Sequence, residues 1–237
     1  VTMHIRGPVD FPRDCHRSPN RFMSVLQAKA EAAGCLFRWE TKATGFAFEN
    51  QRITHVKTSR GEVSCDDVVV AGGAWSPALG RMLKLKLPMQ VGKGYSLTLK
   101  QPVELPSLCS ICTEARLAIT PMGSSLRVGG TMEIAGNDER ISPKRVQGII
   151  ESMPRYFPKF KPADFLEIQP WVGLRPCTPD GLPYLGRPAR WDNVVIAAGH
   201  AMMGLSLAPV TGRIVSQLLA DEKPEYDMAI LSPDRYG

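Results

Sequence analysis

Asp66-Asp67-Val68-Val69-Val70-Ala71-Gly72-Gly73-Ala74-Trp75-Ser76 runs from two acids through three valines into a pair of glycines. Three consecutive valines have no polar face to offer water, the pattern of a strand covered on both sides in a parallel sheet. Glycines directly after such a strand remove the Cβ atoms, so another backbone or a flat ligand can come close. A tight turn with no ligand reads the same way, and the motif alone does not choose between them.

Upstream, Ser18 and Pro19 are a helix start: a capping hydroxyl, then a proline at the first helical position. Phe22, Val25, Leu26, Ala30 and Ala33 recur at helical spacing, and Gly34 ends the run. Cys35 to Trp39 reads as a short strand. Thr44 to Phe48 and Ile53 to Thr58 read as alternating strands joined by the turn Glu49-Asn50-Gln51, and Ser59-Arg60-Gly61 turns the chain toward the valines.

Downstream the pattern changes. From Pro88 to Gly136 it is β-rich, with strands over Gly94 to Lys100, Leu117 to Thr120 and Ser125 to Ile134, and a hairpin turn from Pro121 to Ser125. Ser142-Pro143 then starts a helix carrying Val146, Ile149, Ile150 and Met153, which the prolines at 154, 158 and 162 end. The last part returns to the first grammar. Asn193 to Ala198 is a buried strand, Gly199 to Gly204 a glycine-bounded turn, and Pro209 to Asp221 an amphipathic helix bearing Val210, Ile214, Val215, Leu218 and Leu219. The order predicts an α/β domain in two pieces, residues 1–87 and 168–237, a β-rich domain over 88–167 inserted into it, and a cleft between the two.

Composition narrows the class. The 237 residues are 43% hydrophobic and 22% charged, a globular balance that excludes disordered, collagenous and coiled-coil proteins. No run reaches the roughly 18 to 20 apolar residues of a membrane span; Val194 to Met203 is broken by Gly199 and His200. No basic segment leads into an apolar core near Val1, so no secretory leader is expected. The formal charge of +6 is scattered, with its densest patch at Arg6, Arg13, Arg17 and Arg21. That suits anionic ligands or lipid headgroups better than nucleic acid. Six cysteines without a leader read as free thiols in a reducing compartment. Cys109 and Cys112 lack the second pair a zinc site needs and the strand-to-helix setting of a redox motif.

Two further places invite chemistry. Gly199 to Gly204 leads into a helix, whose unpaired N–H groups and positive dipole end favour an anion or an electron-rich ring. Within that turn His200 has no partner set for nucleophilic catalysis and reads as structural, and His4, His16 and His55 have no metal-ligand spacing. Arg175 lies in the apolar stretch Trp171-Val172-Gly173-Leu174-Arg175-Pro176, where a guanidinium is costly unless paired. It suits bidentate capture of a ligand carboxylate, and an ion pair with Asp180 or a more distant acid is the even alternative. Neither a GxGxxG after a strand nor a GxxxxGK[ST] is present; Gly92-Lys93-Gly94 continues into Tyr95-Ser96-Leu97 and forms no phosphate loop.

With Asp66 to Ser76, the segments Gly94 to Thr98, Gly130-Thr131-Met132-Glu133, Trp171 to Pro183, Gly199 to Gly204 and Thr211-Gly212 form an ordered set. On these, the chain from Asp14 onward resembles the C-terminal half to two thirds of the D-amino-acid-oxidase-like FAD oxidoreductases. Within that family it resembles the bacterial D-amino-acid dehydrogenases, with glycine and sarcosine oxidases as relatives. The resemblance implies a mixed α/β fold: an incomplete FAD-binding domain of the glutathione-reductase type with an inserted antiparallel β-sheet substrate domain.

It also implies roles. The backbone at Ala43 would touch the adenine, and Ala71, Gly72, Gly73 and Trp75 would lie along the FAD. Gly199, His200, Ala201, Met202, Met203, Gly204 and Leu205 would turn backbone N–H groups to the flavin pyrimidine edge. Arg175 would bind the substrate carboxylate, and Tyr95 and Met132 would sit on strands facing the substrate side. The implied reaction is oxidation of an amino acid or secondary amine by hydride transfer to flavin, giving an imine that hydrolyses to a 2-oxo acid. The electron acceptor would be quinone, oxygen or another protein, and the location cytoplasmic or peripheral at the inner face of a membrane.

The sequence departs from the family in two ways. Ala201 stands where many relatives carry glycine, and the family's N-terminal GxGxxG unit is absent, so a fragment is expected. The alternative is a non-catalytic piece or subunit that holds FAD only when a second chain supplies that unit.

Overall fold

The computed structural model describes Phe11, residues 18–134 and residues 136–237. Arg6, Arg13 and Arg17 of the basic patch, together with His4, Asp14 and His16, lie outside the described residues. In chain order the elements are α1 (Pro19–Ala32), β1 (Ala43–Glu49), β2 (Arg52–Thr58), β3 (Gly61–Ser64), β4 (Val68–Val70), α2 (Ser76–Met82), β5 (Gln90–Leu99), β6 (Ser110–Cys112), β7 (Leu117–Met122), β8 (Ser125–Ile134), α3 (Pro143–Tyr156), β9 (Trp171–Cys177), β10 (Tyr184–Gly186), β11 (Val194–Ala198) and α4 (Gly204–Leu219). They fall into two compact units: residues 36–92 with 175–237, and residues 93–174 with the described residues up to Cys35.

The first unit holds two small sheets. β1, β2 and β3 form the antiparallel meander read from the sequence, with Glu49 opposite Arg52 across the turn. β11 pairs parallel with β4, Val194 to Val68 and Ile196 to Val70, and antiparallel with β10. The parallel pairing expected of the valine strand is therefore present. Its position is not the covered one, because β4 is an edge among the described residues and Val69 is 39% exposed between two buried neighbours. Cys35 to Trp39 is not a strand. The segment is irregular and exposed, with the Phe37 and Trp39 rings stacked 5.3 Å apart. A strand needs a ladder partner for its N–H and C=O groups, and the described residues supply none here.

What joins these sheets is polar as well as apolar. Ile53, Leu83, Leu87, Tyr184, Trp191, Val194 and Ile196 make the core. Fully buried Asn193 accepts from the Ile53 N–H at 2.8 Å and donates to the carbonyls of Ile53 and Asp66 at 2.8 and 2.7 Å, tying β2 to the approach of β4. Trp191 donates its indole N–H to Leu83 O, and Tyr184 its hydroxyl to Pro88 O. Burial pushes the Tyr184 phenol up to about 12. Arg235 closes the C-terminus: it grips Asp180 through two nitrogens and lies 4.0 Å from the Tyr184 ring centroid.

The second unit is a five-stranded sheet in the order β6-β7-β8-β5-β9. The hairpin β7–β8 is in register from Met122–Ser125 to Leu117–Gly130, and short edge strand β6 is an addition the sequence did not signal. On one face Tyr95, Leu97, Leu117, Ile119, Leu126 and Val128 pack against Val146, Ile149 and Met153 of α3. Burying each aliphatic side chain contributes roughly 1.5–3 kcal/mol before entropy is charged against it.

Helices start and end differently from their prolines. α1 begins as read, with Ser18 Oγ accepting from the Arg21 N–H, but it buries no residue. α3 runs past Pro154 to Tyr156. α4 begins at Gly204, and Pro209, read as its first turn, lies inside it. A proline removes one bond to the carbonyl four residues back, which a helix held by its apolar face survives.

Candidate functional site

The first unit gathers the end of β9 and the loop after β11. Cys177 and His200 form an isolated antiparallel bridge, and the Ala201 N–H donates to Pro176 O at 3.0 Å. Two backbone contacts therefore fix the loop against the residues immediately following Arg175. Arg175 is half-buried, and its Nη1 is buried without a hydrogen-bond partner among the described residues. The acid offered as its alternative partner is engaged elsewhere, since Arg235 holds Asp180 and keeps that carboxyl well below the usual range.

The loop is shaped by two left-handed residues. Gly199 has φ +84°, and a Cβ there would stand 2.6 Å from Thr178 Cγ2, so only glycine fits. Ala201 also lies in the left-handed region, at φ +47°. That is the departure noted in the sequence: the turn asks for glycine and receives a methyl, at a cost of about 1–2 kcal/mol. His200 pins the loop to α4, with Nε2 3.0 Å from Thr211 Oγ1, and burial pushes its pKa below the ordinary value. The ring is thus neutral at pH 7 and bonded to a helix hydroxyl, which suits the structural role read from the sequence.

At the head of α4, Met203 supplies no side-chain cap, and its carbonyl accepts the Leu207 N–H at 2.9 Å. The N–H groups ahead of that bond have no side-chain acceptor, and the dipole favours negative charge at them. Met202, Met203 and Leu205 are exposed around this end.

The glycine pair lies at the end of β4. The Trp75 N–H closes a turn onto Gly72 O. A Cβ at Gly72 would press on Leu79 at 3.1 Å, whereas one at Gly73 would meet nothing within 4 Å. Ala71 precedes the pair, Trp75 is exposed, and buried Ser76 Oγ has no partner. Ala43 is the first residue of β1, opposite Thr58. Sequence reasoning gave no role to Ser76 and Thr178, both buried polar residues beside these turns.

Tyr95 and Met132 belong to the sheet unit and differ sharply in setting. Tyr95 is 2% exposed, packed in the α3-side core with its hydroxyl donating to Glu133 Oε2 at 2.6 Å. Met132 is exposed. Among the described residues, Cys35, Cys65, Cys109, Cys112 and Cys177 are free, and no group of three His, Cys, Asp or Glu is placed to hold a metal. No described helix is long and apolar enough to cross a membrane.

The parallel β4–β11 pair with its glycine exits, the strand-loop-helix after β11 and the five-stranded sheet define a mixed α/β fold. The structure matches glycine oxidase from Geobacillus kaustophilus with a TM-score of 0.78 and 29% identity, over 90% of this chain and 57% of that one. L-proline dehydrogenase from P. horikoshii matches with a TM-score of 0.78 and 27% identity, over 92% and 59%. In sequence, a D-amino acid dehydrogenase from Bradyrhizobium diazoefficiens is 34% identical over 235 residues, 98% of this chain and 54% of the relative.

Residues 4–218 match the model of the FAD dependent oxidoreductase (DAO) family, and the chain belongs to that family. It spans about half the length of the curated relatives it matches. FAD is the family's cofactor, and the residues present fit part of it: a helix start with no side-chain cap and a glycine, Gly73, at which nothing stands within 4 Å of a Cβ position.

Proposed function

We propose that this chain carries the carboxylate-binding arginine and the flavin-edge loop of an FAD-dependent dehydrogenase or oxidase acting on an amino acid or a secondary amine. The observation that carries the reading is Arg175 Nη1, buried and without an acceptor. An unmatched buried donor costs about 1–3 kcal/mol, which a ligand carboxylate removes while making a charge-assisted pair. Bound flavin supplies the two-electron acceptor for the carbon–hydrogen bond beside the amine.

The chain's own residues orient and polarise. The N–H groups of Gly204 and Leu205 and the positive end of α4 stabilise negative charge at the flavin pyrimidine edge. Neutral His200 holds the loop on Thr211, keeping those N–H groups aimed. Ala71, Gly72, Gly73 and Trp75 would hold the dinucleotide along its length, and the backbone at Ala43 would hold its adenine. Arg175→Ala in the whole enzyme raises KM by the equivalent of about 2–5 kcal/mol, the loss expected when one partner of a buried charge pair is removed. An unchanged KM overturns the assignment.

One observation favours a second reading, in which the flavin site is completed by another polypeptide. Among the described residues β4 is an edge strand, and exposed Val69, Leu36, Phe37 and Trp39 leave strand-forming and apolar groups uncovered. A visible spectrum of the purified chain separates the two: a stoichiometric flavin band rules the second reading out, and a folded, colourless protein supports it. The acceptor that reoxidises the flavin is quinone, oxygen or a protein, and the setting is cytoplasmic or at the inner face of a membrane, in keeping with the basic charge of +6.

A further inference from the structure

The sheet unit holds a cavity of its own, about 550 Å³, between the β7–β8 hairpin and the first half of α3. Its residues run from Ala115 to Ile149, inside one compact unit, and none is shared with the surroundings of Arg175. The floor is apolar, made by buried Leu117 and Ile149. Gly130 lets strand and helix close on it, since a Cβ there would stand 3.0 Å from both Ile149 Cγ1 and Leu117 Cδ2. On the rim, at Gly148, a Cβ would meet nothing within 4 Å. A space of this size suits a small organic molecule.

The polar lining is lopsided. Lys144 and Arg145 stand on it with the hydroxyls of Ser142 and Thr131. Neither cation makes an ion pair among the described residues. The Ser142 side chain makes no cap bond to α3. The one acid of the lining among the described residues, Glu133, is already engaged. Its Oε2 accepts from the Tyr95 hydroxyl at 2.6 Å and has Lys93 Nζ at 3.8 Å, on a side chain only 3% exposed. The Glu133 charge is therefore balanced from inside the protein, and the cavity is left with two unpaired cations over an apolar floor.

We propose that this cavity binds a small organic carboxylate that carries no ammonium group, with the carboxylate on Lys144 and Arg145 and the apolar part on Leu117 and Ile149. An ammonium entering with it would find no uncommitted carboxylate and would lose hydration without return. A 2-oxo acid fits these terms and the parent amino acid does not. Both cations are solvent-exposed, so a bare anion gains little from them and the floor must contribute. That this ligand is of the class the reaction releases rests on the proposed amine-oxidising function; the binding itself does not.

Calorimetric titration of the purified chain carrying Arg175→Ala tests the cavity with the other candidate carboxylate site removed. The probe 4-methyl-2-oxopentanoate binds one-to-one, and D-leucine and inorganic phosphate bind at least about ten-fold more weakly. Adding Lys144→Ala and Arg145→Ala together weakens the probe by about ten-fold or more. Gly148→Leu does the same by filling the rim, and it favours the helix, so its thermal midpoint without ligand holds or rises. The unaltered chain titrated beside these shows the same loss on Gly148→Leu.

Absence of saturable binding in the Arg175→Ala chain overturns the proposal and leaves the Arg175 reading, which is judged by KM in the whole enzyme, untouched. Binding that survives both Gly148→Leu and the double substitution places the ligand elsewhere and overturns it too. D-leucine or phosphate binding as tightly as the probe overturns the ligand class.

Discussion

In the sheet unit, Tyr95, Leu97, Leu117, Ile119, Leu126 and Val128 are all at or near zero exposure under α3, while Leu108, Ile111, Leu166 and Trp171 elsewhere in it are exposed. The unit of β4, β10 and β11 has a core as dry, at Ile53, Leu83, Tyr184, Val194 and Ile196, and differs in where its exposed apolar groups stand. Val69 stands out between buried Val68 and Val70, and Met202, Met203 and Leu205 crowd the head of α4. Both units obey the same packing rules, so the difference is one of setting. In the sheet unit a helix covers one sheet face with aliphatic side chains. In the other, the exposed valine and methionines stand beside the glycine turns at Gly72, Gly73 and Gly199.

Arg175→Ala makes the largest break in that contrast: a loss of about 2–5 kcal/mol in substrate binding with the thermal midpoint unchanged or raised. A fall in the midpoint instead makes Arg175 a structural group. Asn193→Ala does the opposite and attacks the interior of the open unit. It strands the buried Ile53 N–H and should lower stability by about 2–4 kcal/mol, measured by urea unfolding. A loss below about 0.5 kcal/mol denies that this unit depends on a polar tie where the sheet unit uses aliphatic packing.

The loop after β11 gives smaller effects of opposite sign. Gly199→Ala collides with Thr178 and lowers stability by about 1–3 kcal/mol, while Ala201→Gly relieves a left-handed alanine and raises it by up to about 1 kcal/mol. Equal signs in thermal unfolding would sink the account of this turn. The smallest effect is one of pH. The Arg235 guanidinium holds the Asp180 carboxyl below its usual value near 4, so the stability this pair lends is present above about pH 4 and is lost as pH falls. Asp180→Asn therefore flattens the acid limb of the stability curve and leaves the alkaline limb alone.

Local chemistry was legible where it is local. Ser18-Pro19 started α1, the turn at Asn50 joined β1 to β2, and the valines paired parallel as read. The glycine-bounded loop and Arg175 were picked out because a guanidinium in an apolar run and glycines after a buried strand are costly unless used. What failed was non-local. Cys35 to Trp39 has the composition of a strand, but a strand is a pair, and pairing is not written in one segment. Pro209 and Pro154 mark where a helix is weak, not where it ends.

Sequence by itself determined the family-bearing motifs, the parallel valine strand, the glycine-bounded turn from Gly199 to Gly204 and the apolar setting of Arg175. Only tertiary structure decided that Asp180 belongs to Arg235, that β4 is an edge, that Tyr95 points into the core and that Met132 does not. Alternation along a strand predicts facing only until a residue such as Thr131, at φ +66°, breaks it. Lys93 and Tyr95 on β5 meet Glu133 on β8 only through folding, across some forty residues of chain.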